Sequence, residues 1–299
     1  MSFSNKRLYI LLLALLLVAL PATGLLAQES SDEGEGPPDL EGRTITVAVE
    51  NAYPPFNYLD DDGAPIGWDY DVINELCARL NCVPEYVETS WDGMIFAVAE
   101  GEFDMAADGI TILPDRAEQV DFSDPYMTLV QVILGRADEE RFSSVEEMLA
   151  LEDLRLGVQP GTTNYFTAVD LLGSEDDPRL ILYDLFPQAV QALIAGDVDA
   201  VVMDDVAGQG YVGTNPDAVQ IIGEPLTATE ELGFIFPLGS DLRDAINAGL
   251  DSMREDGSLI EITLRWFTAQ EEEDGGEDEA MDGGILGVLS ALSVPMEDE

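Results

Sequence analysis

Arg116 is the residue of this sequence best suited to holding an anion. It follows Thr111 in the segment after a predicted strand at residues 103–107. A guanidinium presents a fixed fork of donors that matches a carboxylate. A surface ion pair with Asp115 or Glu118 is the alternative on a chain this acidic. We favour the first interpretation because Arg116 and Thr111 share one loop-helix segment at a strand end.

Two further groups come from the second half of the chain. Gly161, Thr162 and Thr163 stand between a predicted strand and a helix start, where backbone N–H groups can receive an anion. An ordinary helix cap by either threonine is the alternative. Asp204 ends another predicted strand at residues 198–203, and its carboxylate can pair with an ammonium group or cap a helix. Together these residues offer both kinds of receptor that a zwitterion requires.

Two aromatic residues precede these groups in the sequence. Tyr53 precedes two prolines and Trp91 precedes Asp92-Gly93, so both lie at predicted loops. Aromatic side chains are more often core residues. Their loop positions favour exposure in a cleft instead.

Strands and helices alternate from Arg43 to about Thr268, which predicts an α/β fold. The segment at residues 97–104 parallels the one at residues 192–199, since both read helix, glycine, one residue, apolar residue, aspartate. One architectural unit used twice predicts two lobes, each with a mostly parallel sheet. Ligands bind beyond the carboxyl ends of such strands. This rule selects four loops, which begin at Glu50, Asp108, Gln159 and Met203.

Composition narrows the function further. The 299 residues include 61 acidic and 12 basic side chains, no histidine, and a formal net charge of −49. A surface this acidic repels nucleic acid and anionic lipid. The absence of histidine weighs against Ser-His hydrolases and zinc enzymes. We therefore predict no metal, no cofactor and no nucleic-acid partner.

The two ends of the chain differ from its middle. Lys6 and Arg7 precede an apolar run from Leu8 to Leu20, and small residues follow up to Ala27, which predicts a signal peptide at residues 1–27. An uncleaved membrane anchor is the alternative. Residues 28–42 read as a disordered linker, and residues 269–299 as an acidic, disordered tail. Export would place the protein in the periplasm or outside the cell.

Export also permits a disulfide bond. Cys77 lies in a helical pattern, and Cys82 follows the Asn81 end signal of that helix. An unbroken helix would hold positions i and i+5 badly for a bridge. We expect the bridge, with two buried thiols as the alternative.

Several motifs in order and spacing resemble one family. The resemblance runs from about Arg43 to Thr268, and it is carried by VAVENAYPPF (47–56), GWDYD (67–71), WDG (91–93), GITI (109–112) with Arg116, DFSDPY (121–126), GTT (161–163) and the strand that ends at Asp204. These segments look like the polar and basic amino-acid-binding proteins of ABC importers, solute-binding family 3. The combination is specific, although no single motif is.

The resemblance implies a fold and a set of roles. The fold would be a two-lobed periplasmic-binding-protein fold of type II with a two-strand hinge. The first lobe would comprise residues 43–130 and 228–268, and the second residues 131–227. The protein would be a monomer, without enzymatic activity, that delivers a free amino acid to an ABC permease. The implied ligand contacts fall into three groups: Arg116, Thr111, Thr162 and Thr163 for the α-carboxylate; Asp204 and the Gly109 carbonyl for the α-ammonium; and Tyr53, Trp91, Glu50, Gln159 and Met203 for the side chain.

The ligand preference rests on Glu50. A carboxylate in a closing cleft needs a partner, and this chain has no lysine after Lys6. A basic ligand would supply the charge, so we expect arginine, lysine or ornithine before glutamine or histidine. Glu50 bonded within its own lobe is the alternative. Two other functions stay open: a dehydratase of the prephenate or arogenate type on the same fold, and the sensor module of a signalling protein.

Overall fold

The computed structural model describes residues 36–268. The predicted signal peptide at 1–27 and the predicted tail at 269–299 lie outside this range. The described chain folds into two five-stranded sheets and two small sheets. Its strands are β1 (Arg43–Val49), β2 (Ala52–Tyr53), β3 (Asn57–Leu59), β4 (Pro65–Ile66), β5 (Cys82–Glu88), β6 (Met105–Ala106), β7 (Val120–Phe122), β8 (Met127–Leu129), β9 (Gln131–Arg136), β10 (Leu156–Val158), β11 (Leu180–Leu182), β12 (Ala200–Asp204), β13 (Val219–Ile222), β14 (Glu230–Leu232) and β15 (Ile235–Pro237).

Helices cover both faces of the two large sheets. They are α1 (Trp68–Leu80), α2 (Trp91–Ala99), α3 (Pro114–Ala117), α4 (Val145–Leu149), α5 (Thr163–Leu172), α6 (Phe186–Ala195), α7 (Asp205–Thr214), α8 (Leu242–Asp256) and α9 (Ser258–Thr268). None of these helices is long and apolar enough to cross a lipid bilayer.

The two large sheets share one topology. The first has the order β5-β1-β6-β15-β7 and the second the order β11-β10-β12-β9-β13. In each sheet four strands run in one direction, and a single strand, β15 or β9, runs against them. We call each sheet with its helices a lobe. The prediction of mostly parallel sheets therefore holds, with one reversed strand in each lobe.

Two chain segments connect the lobes. β8 pairs with β14 in an antiparallel two-stranded sheet, and β8 leads directly into the reversed strand β9 of the second lobe. β14 leads into β15, the reversed strand of the first lobe. The reversed strands are thus the ones that enter each lobe from this hinge. The exact lobe boundaries near residues 130 and 228 stay a prediction.

Alternation along the strands builds the cores. In β1, Ile45, Val47 and Val49 face the core formed with α1, α8 and α9, whereas Ala48 joins Met94 on the other face. Each fully buried aliphatic side chain contributes roughly 1.5–3 kcal/mol relative to exposure. The same alternation separates Val132 and Leu134 from Ile133 in β9. Both sheets are consequently held between two apolar layers.

The end of α1 is tied to its neighbours. Asn81 adopts a left-handed conformation with φ 51°, which ends the helix and turns the chain into β5. This turn brings Cys77 and Cys82 together, and their sulfur atoms form a disulfide bond. The helix end also holds the segment before β1, since the Leu40 N–H donates to the Leu80 carbonyl and the Gly42 N–H to the Asn81 carbonyl, both at 2.7 Å.

That docking corrects the end of the predicted linker. We expected disorder through residue 42, but residues 40–42 are hydrogen-bonded and Leu40 packs against the first core. The glycine, proline and acid composition that indicates disorder is concentrated before this point. Leu40 and the backbone hydrogen bonds to the end of α1 together hold the last residues of the segment. Residues 28–35 lie outside the described range.

Candidate functional site

A cleft lies between the lobes, and its empty space of about 370 Å³ includes a part that is open to solvent. It forms where the carboxyl ends of β1 and β6 in the first lobe face those of β10 and β12 in the second. All but one of the predicted site residues line it. The lining residues are Glu50, Tyr53, Trp91, Asp108, Gly109, Thr111, Arg116, Gln159, Thr162, Thr163, Asn164, Phe186 and Asp204.

Arg116 brings a buried cation to this cleft. Short helix α3, which Pro114 begins, places it there with 6% exposure. Its guanidinium donates to the Thr111 carbonyl at 3.0 Å and, across the cleft, to the Gly161 carbonyl at 3.2 Å. Burial lowers the pKa of Arg116 to about 10, and nearby Glu230 partly opposes this shift. The side chain is thus charged at neutral pH.

The charge of Arg116 is incompletely matched by protein groups. Within residues 36–268 no carboxylate oxygen lies within 4.0 Å of its guanidinium nitrogens. Its carbon Cζ lies 5.2 Å from the centre of the Trp91 ring, a cation–π contact. A buried cation bonded only to carbonyls and an aromatic face is a good receptor for an incoming carboxylate.

The start of α5 faces Arg116 from the second lobe. Thr162 caps this helix, because its hydroxyl accepts the Tyr165 N–H at 3.1 Å and donates to the Gln159 carbonyl at 2.7 Å. The Thr163 hydroxyl lies 3.4 Å from the Thr111 hydroxyl of the first lobe. Thr162 therefore has the capping role that we weighed as the alternative, and it also lines the cleft.

Asp204 supplies the buried carboxylate opposite. Its Oδ1 accepts from the side-chain amides of Gln131 and Asn164. Both bonds end on Oδ1, so Oδ2 is the oxygen available to another donor. Burial, together with Glu230 and Asp205, raises the pKa of Asp204 well above its usual range. A ligand ammonium group would lower it again by stabilising the charged form.

Gln131 connects Asp204 to the hinge. It is fully buried at the first position of β9, directly opposite Asp204 in the strand register. Its amide nitrogen also lies 3.3 Å from the Glu230 carboxylate, on the other crossing segment, and 3.5 Å from the Thr163 hydroxyl. One side chain thus contacts the crossing strand β14 and both receptor groups of the second lobe.

The far end of the cleft is acidic. Glu50 accepts the Trp91 N–H at 3.2 Å and, from the second lobe, the Gln159 side-chain amide at 2.8 Å. Burial raises the pKa of Glu50, and these two hydrogen bonds oppose the rise. Asp108 lies beside it, since its Oδ1 is 3.4 Å from the Glu50 backbone nitrogen. This end of the cleft suits a hydrogen-bond donor or a cation.

Aromatic side chains line the same region. Tyr53 stacks on Phe56 with ring centres 5.0 Å apart and meets Phe186 of the second lobe edge-on at 6.0 Å. Gly109 allows this packing: its φ is +56°, and a Cβ atom there would lie 2.6 Å from the Tyr53 ring. Any other residue at this position would displace the ring.

One predicted contact is wrong and two were missed. Met203 has no exposed surface, packs in the second core against α7, and is absent from the cleft lining. The cause is alternation: Asp204 points into the cleft, so its neighbour points away. Asn164 and Phe186 line the cleft without having been predicted. Phe186 follows β11, a strand whose loop the same carboxyl-end rule would have selected.

Comparison with known proteins decides the family. Residues 45–269 match the model of bacterial extracellular solute-binding proteins, family 3. The chain belongs to this family. The fold predicted from the sequence, two α/β lobes with a two-strand hinge, is thereby confirmed.

Relatives of this family 3 protein are described as binding different amino acids. A probable histidine-binding protein of Neisseria gonorrhoeae is 29% identical over 85% of this chain and 92% of its own length. An ancestral arginine-binding protein, solved bound to arginine, is 33% identical with a TM-score of 0.69, over 76% of this chain and 99% of that one. An ancestral amino-acid-binding protein described as a precursor of cyclohexadienyl dehydratase is 32% identical, with a TM-score of 0.66, over 75% of this chain and 95% of that one.

Proposed function

We propose that the protein captures a free amino acid between its lobes and delivers it to an ABC permease. The observation that carries this proposal is the presence of Arg116 and Asp204 in one cleft, without an ion pair between them. One is a buried cation without an ion-pair partner among the described residues, and the other a buried carboxylate with one oxygen available. Both line the same cleft. The α-carboxylate and α-ammonium of an amino acid match these two groups.

The ligand class follows from the other end of the cleft. Glu50 and Asp108 are both buried there, beside Tyr53, Trp91 and Gln159. A carboxylate and aromatic faces suit a cationic side chain. We propose a basic or polar amino acid, with arginine and lysine favoured. That relatives are described as binding histidine or arginine supports this range.

Lobe closure would assemble the site. Besides the ring contact of Tyr53 with Phe186, three polar contacts bridge the lobes at the cleft within residues 36–268: Glu50 with Gln159, Arg116 with the Gly161 carbonyl, and Thr111 with Thr163. Opening at the hinge would break all three and separate the carboxylate receptor from the ammonium receptor. A ligand that engages both halves therefore stabilises the closed form.

Calorimetry against the twenty common amino acids tests the proposal. We expect at least one to bind, and Arg116→Ala to weaken it by about 2–5 kcal/mol, because a ligand carboxylate would be left buried and unpaired. The matched control is Arg243→Ala, which removes an exposed arginine paired with Asp244 and should leave affinity unchanged. Equal affinities of the two variants would refute the carboxylate assignment.

The partner and location complete the proposal. We infer that residues 1–27 direct export to the periplasm or the cell exterior and that the exported protein acts as a monomer. The family description as extracellular supports this location. Amino-terminal sequencing of the exported protein distinguishes cleavage near Ala27 from a retained membrane anchor. Sedimentation of the same sample checks the monomer.

We also infer that the protein is not an enzyme. The likeness to a dehydratase precursor makes prephenate and arogenate the substrates to test. An ammonium receptor such as Asp204 is more useful for capture than for dehydration, which needs a general acid at the leaving hydroxyl. Turnover of either compound by the purified protein would contradict this inference.

A further inference from the structure

Three acids of the first lobe form one buried network at the side-chain end of the cleft. The side-chain nitrogen of Asn57 donates to Asp69 Oδ2 at 2.8 Å and to Asp108 Oδ1 at 2.7 Å. Asn57 and Asp69 have no exposed surface, and Asp108 has 4%. Glu50 completes the network through its backbone N–H to Asp108. Of the three, Glu50 and Asp108 line the cleft, and Asp69 lies behind them.

This network has no cation of its own. Within residues 36–268, none of the ion pairs involves Glu50, Asp69 or Asp108, and Asp69 Oδ1 is buried without a hydrogen-bond partner. Both hydrogen bonds to Asp108 end on Oδ1, so Oδ2 is available. Three neighbouring carboxyl groups that are almost completely shielded from water cannot all be ionised without a compensating positive charge.

The titratable groups that face Asp108 are Glu50 at the end of β1, Asp69 and Tyr70 in α1, and Tyr126 before β8. The charges of the two acids favour its protonated form, whereas the hydrogen bonds from Asn57 and the Glu50 N–H favour its charged form. Burial, then the charge of Glu50, raises the pKa of Asp108 well above its usual range. Burial raises the pKa of Asp69 to about 7. Of these two, only Asp108 reaches the cleft, where a ligand can change its surroundings.

We propose that Asp108 selects a cationic side chain and that this side chain replaces a proton carried by Asp108 in the free protein. The inference rests on the proposed function of the same cleft. As the ligand enters, the O–H bond of Asp108 breaks, the proton leaves to solvent, and the carboxylate pairs with the cation. The net charge of the cleft is unchanged by this exchange. A neutral side chain leaves the proton in place.

The exchange predicts the sign of a pH dependence. Affinity for a cationic ligand rises with pH, by up to about tenfold per pH unit for one released proton. The rise falls between the pKa of Asp108 in the complex and its raised pKa in the free protein, and it ends above the latter. A ligand of the same shape with a neutral side chain should lack the part of the rise that comes from Asp108, so the ratio of the two affinities should rise with pH.

L-arginine and L-citrulline are the probes. They have the same length, but citrulline carries a neutral urea in place of the guanidinium. Calorimetry near pH 7 in two buffers with different ionisation enthalpies counts the protons released. The α-ammonium group is common to both ligands, so any proton that it displaces from Asp204 is released with either one. We expect arginine to release more protons than citrulline, by up to one. Asp108→Asn should abolish this difference and reduce the preference for arginine over citrulline at least tenfold.

Glu88→Gln is the matched control, because it removes an exposed acid at the end of β5 outside the cleft lining. It should keep the release and the preference. Equal proton release by arginine and citrulline on the unmodified protein would overturn the inference, as would an unchanged difference between them in Asp108→Asn. If that variant does not fold, the comparison of arginine with citrulline on the unmodified protein still decides. Failure of every amino acid to bind would instead refute the proposed function.

Discussion

The strands β6 and β12 occupy the same central place in the two lobes, and each has an aspartate at both ends. Asp104 precedes β6 and Asp108 follows it, while Asp199 precedes β12 and Asp204 ends it. Asp104 and Asp199 end the two parallel segments at residues 97–104 and 192–199, and Asp108 and Asp204 stand at the far ends of the strands that follow. The amino ends lie away from the cleft and the carboxyl ends lie in it. Each lobe therefore offers one comparison between an acid at the amino end of the strand, away from the cleft, and an acid at the carboxyl end, in the cleft.

At the amino ends the protein supplies the partners. Asp104 accepts from the Thr46 backbone at 2.8 Å and pairs with Arg43 at 3.2 Å. Asp199 accepts from the Arg155 backbone at 2.8 Å and pairs with Arg141 at 2.8 Å. Burial alone would raise both pKa values, but these bonds and charges lower the pKa of each below its ordinary value.

At the carboxyl ends the protein supplies other acids instead. Burial, then Glu50, raises the pKa of Asp108, and burial, then Glu230, raises that of Asp204. Exposure does not separate the two kinds of acid, since Asp199 is 2% exposed and Asp204 5%. The presence or absence of a cationic partner does. An aspartate buried at a strand end without an arginine is therefore a candidate for binding a charge from outside.

Asp204→Asn is the variant with the largest expected effect, and it tests whether the aspartate at the carboxyl end of β12 is a binding acid. We expect it to weaken amino-acid binding by about 2–5 kcal/mol, because the ammonium receptor is lost. The free energy of unfolding should not fall, because asparagine can still accept from Gln131 and Asn164 without a buried charge. Calorimetry and a urea titration measure the two effects. Lost stability with retained affinity would show Asp204 to be a structural acid.

Asp199→Asn should show the opposite behaviour. Its side chain bonds to arginines rather than to any cleft residue, so the free energy of unfolding should drop by about 1–3 kcal/mol with affinity unchanged. Asp197→Asn, two residues earlier and exposed, is the control and should change neither. A selective loss of affinity in Asp199→Asn would remove the distinction between the strand ends.

Asp104→Asn should have the smallest effect. The Arg43 and Asp104 side chains are 34% and 32% exposed, so water screens their ion pair. We expect a loss of about 1 kcal/mol or less in the free energy of unfolding, measured by the same urea titration. A loss as large as that of Asp199→Asn would mean that exposure of the partners does not scale the effect.

Most of the architecture could be predicted from the sequence. Alternation of apolar residues marks β1, and a helical stripe with its Asn81 end signal marks α1 within two residues of its start. The reversed strands β9 and β15 could not be predicted in this way, because strand direction depends on which edge the chain enters from the hinge. A strand reads the same in either direction.

The cleft residues that could be predicted from the sequence are those at the carboxyl ends of strands. Glu50, Gln159 and Asp204 follow or end recognisable strands, and all of them line the cleft. The prediction of Met203 was wrong because it ignored that successive side chains of a strand point to opposite faces. Met203 and Asp204, the last two residues of β12, therefore cannot both point into the cleft. The hydrogen bonds of Gln131 lay beyond prediction, because its neighbour Asp204 is 73 residues away in the sequence.

The order of the strands sets a lever arm within each lobe. The hinge leads into β9 and β15; β12 and β6 lie next to them, and β10 and β1 one strand farther out. Neighbouring strands are about 4.8 Å apart, so Glu50 and Gln159 stand roughly 5 Å farther from the turning strands than Asp108 and Asp204. A rotation about these hinge strands would therefore separate Glu50 from Gln159 by more than it separates the two aspartates. The 2.8 Å hydrogen bond between Glu50 and Gln159 would oppose such an opening through the longer lever arm.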